Sequence, residues 1–82
     1  MTIEISRLRW ACRRGMLELD VLLGVFLEEA YSKLPREQQE QFEQLLSCND
    51  QELFEWLTGK REPDPEFKTM VEQVRTHAKH RH

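Results

Sequence analysis

Apolar residues recur at steps of three and four along almost the whole chain, and only three isolated glycines and three prolines interrupt the pattern. That period is helical, and the shortage of turn formers leaves room for few and short connections. No alternating run of β-branched residues suggests a strand. The spacing predicts an all-α fold, a compact five-helix bundle forming a single domain over residues 1–82. With 82 residues, such a domain buries a modest core near the lower limit of independent stability.

The first helix is predicted from Ile3 to Arg13, with Ile5, Leu8 and Cys12 on its buried stripe and Gly15 stopping it in a left-handed conformation. Trp10 is assigned to the core rather than to an interface. The second helix, from Leu17 to Tyr31, carries Leu19, Leu22, Leu23, Phe26, Leu27 and Ala30 inward, with Glu18 and Asp20 in its first turn. Pro35 opens the third, which buries Phe42, Leu45 and Leu46. Asn49 or Asp50 caps the fourth, with Leu53, Trp56 and Leu57 inside and Thr58-Gly59 at its end. Asp64 is expected to cap the fifth, with Pro65 at its first position and Phe67, Met70, Val71, Val74 and Ala78 buried. The tail from His77 to His82 is expected to fray.

Charge narrows the function. Residues 1–14 hold four arginines against Glu4, whereas residues 15–59 hold ten acids against Lys33 and Arg36. An acidic middle argues against a broad phosphate-binding surface, so no nucleic-acid partner is expected. No apolar run reaches the ~18 residues of a membrane span, and no signal peptide is visible, so no membrane insertion and a cytoplasmic location are expected. In that reducing compartment Cys12 and Cys48 are expected as free thiols. A catalytic site would need one of them beside a base, yet the only histidines are His77, His80 and His82. No catalytic residue, no metal site and no tightly bound cofactor is expected; His77 and His80 could at most gather a stray ion.

One segment stands apart, Trp10-Ala11-Cys12-Arg13-Arg14-Gly15-Met16-Leu17-Glu18-Leu19-Asp20. It reads equally well as a plain helix-to-helix corner and as a rigid corner presenting Arg13, Arg14, Met16, Glu18 and Asp20 around Gly15 to a partner.

Arg14-Gly15-Met16-Leu17-Glu18 resembles the Arg-Gly-x-x-Glu signature of the succinate dehydrogenase assembly factors that promote flavinylation, in their bacterial branch, the SdhE (YgfY) proteins. Leu53-Phe54-Glu55-Trp56-Leu57, the 60–65 loop and the length are similar as well, so the resemblance covers all but the histidine-rich tail. It implies a five-helix bundle that binds the flavoprotein subunit of succinate dehydrogenase, and in bacteria also that of fumarate reductase. Covalent FAD attachment then follows by the client's own chemistry, so this chain would be an assembly factor, not an enzyme, and the FAD would belong to the client. Carried over, Arg14, Gly15 and Glu18 match the functional corner, with Arg13, Met16 and Asp20 beside them. Arg14 is expected to reach carboxylates or carbonyls of the client, and Glu18 to orient the corner. A monomer is expected. The alternative is a helical antitoxin paired with a membrane toxin.

Overall fold

The computed structural model describes residues 5–79. Its helices are α1 (Ile5–Ala11), α2 (Leu17–Glu29), α3 (Arg36–Leu45), α4 (Asp50–Leu57) and α5 (Lys68–Lys79), with a single 3-10 turn over Tyr31–Lys33. There is no strand among the described residues. The Cα radius of gyration is 11.6 Å, close to the ~11.7 Å that chain length predicts for a compact domain.

The apolar stripes converge as the spacing requires. Leu19, Leu23, Phe26 and Leu27 of α2 meet Phe42, Leu45 and Leu46, Leu53, Trp56 and Leu57, and Met70, Val71 and Val74 in one core. α2 is the central element, packed on α1, α4 and α5, while α5 also packs on α3 and α4. Phe42 joins the rings of Phe26 and Tyr31, at centroid distances of 5.3 and 5.7 Å.

The helix ends differ from expectation in physical detail. α2 stops at Glu29, and the chain tightens into the 3-10 turn that carries Tyr31 into the core. Asn49, not Asp50, caps α4, its side chain accepting from the Glu52 amide at 2.8 Å. Asp64-Pro65 starts a tight turn, with the Phe67 amide donating to the Asp64 carbonyl at 2.9 Å, so regular helix begins only at Lys68.

Three expectations are corrected. Trp10 is 74 % exposed and Ile5 40 %: Leu8 and Cys12 turn inward four residues apart, and Trp10, two residues from each, falls on the opposite face. His77 does not fray: α5 continues to Lys79, and His77 Nε2 lies 2.9 Å from Glu29 Oε1 with its ring edge-on to Phe26. The rest of the expected tail, residues 80–82, lies outside the described residues, as do residues 1–4 where the first helix was expected to begin.

Candidate functional site: the corner between α1 and α2

Five residues, 12–16, connect α1 to α2, and they are held by two side chains. The first is Asp20, one turn into α2. Its carboxylate accepts from the Arg14 amide at 2.7 Å and from the Gly15 amide at 3.2 Å. This is the service a returning carboxylate performs in a capping box, and here it ties the loop to the helix that follows. Gly15 sits at φ +82°, which an L side chain adopts only under strain.

The second is Arg14. Its Nη1 donates to the Ala11 carbonyl at 3.1 Å, and its Nη2 donates to the carbonyls of Leu46 and Cys48 at 2.7 and 2.6 Å. Its Nε lies 3.1 Å from Asp50 Oδ1, an ion pair without hydrogen-bond alignment. The side chain is 15 % exposed. Arg14 therefore closes the C-terminal carbonyls of α1 and of the α3 end together, groups that a helix leaves without partners. Only the planar fork of an arginine reaches them at once.

The residues of the signature and its neighbours sit differently from one another. Arg14 faces the interior and gives three hydrogen bonds to this chain's own carbonyls. Asp20, not Glu18, orients the corner. Glu18 is exposed and makes no hydrogen bond or ion pair among the described residues. Met16 is half-buried against the core rather than displayed.

What the corner does display is apolar. Leu17 is 82 % exposed and Val21 51 %, one helical turn apart on α2, with Trp10 exposed on α1. Sequence reasoning missed these three as surface groups. The signal was present: α2 carries apolar residues at 17, 19, 21, 22, 23, 25, 26 and 27, more than one buried face can hold. Between α1 and α2 runs a groove of about 470 Å³ lined by Arg9, Cys12, Arg13, Asp20, Val21, Gly24 and Glu28. Arg9 and Glu28 pair across it, Nη2 to Oε1 at 3.1 Å. Arg13 is exposed and has no ion pair among the described residues.

Cys12 is buried in the groove wall, and burial pushes its thiol up to about 11, the reverse of an activated nucleophile. Burial also raises Cys48, and both thiols are free. No three metal-ligating side chains gather among the described residues. No helix among them is long and apolar enough to cross a membrane.

The chain is similar to known proteins over most of its length. Residues 6–78 match the family model Sdh5, described as flavinator of succinate dehydrogenase. A relative from Shewanella oneidensis, "FAD assembly factor SdhE", is 52% identical over 77 residues, 93% of this chain and 94% of that protein. Proteins of the same name from Vibrio vulnificus and Pseudomonas aeruginosa are 46% identical over 77 residues (93% of this chain, 90% of theirs) and 47% over 72 (87% and 86%). With a family match across nearly all of the described chain and relatives at this identity, the chain belongs to the Sdh5 family, the flavinators of succinate dehydrogenase.

Proposed function

We propose that this protein binds the flavoprotein subunit of succinate dehydrogenase and promotes covalent attachment of its FAD. The family description and the names of the relatives supply the reaction. The observation that carries the site is the corner itself: a backbone fixed by Arg14 and Asp20 that leaves Trp10, Leu17 and Glu18 exposed together with Arg13, which has no ion pair among the described residues. Exposed aromatic and aliphatic groups beside unspent charges, on a rigid frame, are the makings of a protein interface.

In this reading the chain is an assembly factor, and the flavin bond forms by the client's chemistry. The interface holds the client in the arrangement where its histidine meets the flavin, an orientation effect. The FAD belongs to the client, the protein acts as a monomer in the cytoplasm, and the flavoprotein of fumarate reductase is a second client. Arg13, Gly15, Met16, Glu18 and Asp20 form or frame the contact surface, and Arg14 acts through the shape it imposes. The antitoxin alternative gains no support from the family or the relatives.

The test is covalent flavin on the flavoprotein subunit, read as in-gel flavin fluorescence in cells lacking this protein. Wild type restores the signal, and Glu18→Ala, whose carboxylate has no partner among the described residues, folds normally and does not. Unchanged fluorescence in the deletion strain would remove the assembly role, and full rescue by Glu18→Ala would move the site away from this residue.

A further inference from the structure

The groove between α1 and α2 contains a residue that the fold does not require. Gly24 lies in the middle of α2, where glycine is a poorer helix former than alanine. The usual structural reasons for a glycine are absent. It is not among the residues with positive φ, and a Cβ built on it would meet no atom within 4 Å. The chain thus gives up helix stability at Gly24 without relieving any internal clash. What Gly24 does is lower the wall of the groove beside Val21 and Arg13.

The charges around the groove specify what would enter it. Glu28 is committed to Arg9, and Asp20 to the amides of Arg14 and Gly15. Arg13 alone of the lining charges has no side-chain partner among the described residues. The free surface therefore consists of an exposed valine, a helix backbone without a side chain, and one unneutralised cation. We propose that the groove over Gly24 seats an acidic segment of the flavoprotein client, with an apolar side chain lying on Gly24 and Val21 and a neighbouring carboxylate meeting Arg13. This rests on the flavoprotein being the partner, and it adds the chemistry of the segment recognised and a specificity-determining position that the Arg-Gly-x-x-Glu signature does not contain.

The experiment titrates purified flavoprotein subunit with wild type, Gly24→Ala, Gly24→Leu and Arg13→Glu, with Glu72→Ala on α5 as a variant away from the groove. A Cβ at Gly24 meets open space, and both replacements are better helix formers than glycine, so circular dichroism is expected to show intact helices and thermal midpoints at or above wild type. Affinity is expected to fall severalfold for Gly24→Ala and at least tenfold for Gly24→Leu. Arg13→Glu falls at least tenfold, and its remaining binding depends less steeply on salt. Glu72→Ala binds as wild type does. Wild-type affinity in Gly24→Leu would overturn the groove while leaving the assembly role intact. An unfolded Gly24→Leu would overturn its premise, because the fold would then require the glycine. Failure of wild type to bind the flavoprotein at all would overturn the proposed function and the groove with it.

Discussion

Two corners of this molecule use the same backbone device for different ends. Gly15 between α1 and α2 and Gly59 between α4 and α5 adopt nearly the same left-handed angle, φ +82° and +81°. Around Gly59 the chain closes on itself. The Lys60 and Arg61 amides donate to the Glu55 carbonyl at 2.8 and 3.2 Å, the Thr58 hydroxyl donates back to the Phe54 carbonyl, and the Lys60 ammonium lies 5.1 Å from the Phe54 ring centroid. A Cβ on Gly59 would come within 3.0 Å of Arg75 Nη2, whereas one on Gly15 would meet nothing. Both glycines are exposed, but at Gly59 the Arg75 side chain of α5 reaches across the corner. At Gly15 no side chain does so, and the exposed Trp10, Leu17 and Val21 stand around it. Rigidity and exposure are thus separable: Arg14 and Asp20 supply the first from beneath, and Trp10, Leu17 and Val21 supply the second from above.

The sharpest way to break this comparison is to remove what holds the bare corner. Arg14→Ala leaves the carbonyls of Leu46 and Cys48 without their donor and Asp50 without its cation. We expect it to lower unfolding stability by about 2–4 kcal/mol, allowing for the partly exposed Asp50. Arg14→Lys should recover little of this, since an ammonium cannot span the three carbonyls. Chemical denaturation measures it. An Arg14→Ala protein of wild-type stability that fails to bind its client would return Arg14 to the interface, contrary to the geometry.

The two glycines provide a smaller and more selective contrast. Gly59→Ala and Gly15→Ala both force a methyl-bearing residue to a left-handed angle, at a cost of about 1–2 kcal/mol each. Gly59→Ala should cost somewhat more, because Arg75 must also shift. Client affinity should separate them clearly. It should be unchanged for Gly59→Ala at temperatures where the protein is folded, reduced for Gly15→Ala, and abolished for Gly15→Arg. Equal affinities across the three would show that the bare corner is not where the client sits.

The helical period made the bundle and its core legible. Leu23, Phe26, Phe42, Leu45, Leu53, Trp56, Val71 and Val74 are buried where their spacing places them, because burial follows a face and a face follows from a period. The corner was legible as a position, and Gly15 as its left-handed residue. Its internal wiring was not, for a physical reason: Arg14 finds its partners 32 and 34 residues away, at a helix end that no local spacing brings near. The same limit hid Asp20 as the brace, since Glu18 and Asp20 are alike in sequence terms and only the path of the loop distinguishes them. Trp10 was misplaced because its size suggests burial, whereas its position two residues from both Leu8 and Cys12 puts it on the face opposite the buried one.

The smallest effect expected concerns the bare side alone. Arg9 and Glu28 join α1 to α2 across the groove, and the hydrogen bond from Arg9 holds the Glu28 carboxyl below its ordinary value of 4.5. A carboxyl whose pKa is lower in the folded state adds stability above its unfolded value and loses it as pH falls through the folded one. Both side chains are exposed, so the contribution is small and screened by salt. Wild type should therefore melt slightly above Glu28→Gln at pH 7, and the difference should vanish as pH falls well below 4.5. A difference that persists in acid would mean that Glu28 acts by packing rather than by charge. The groove would then be walled by shape, and the bare corner would depend on α1 being docked tightly.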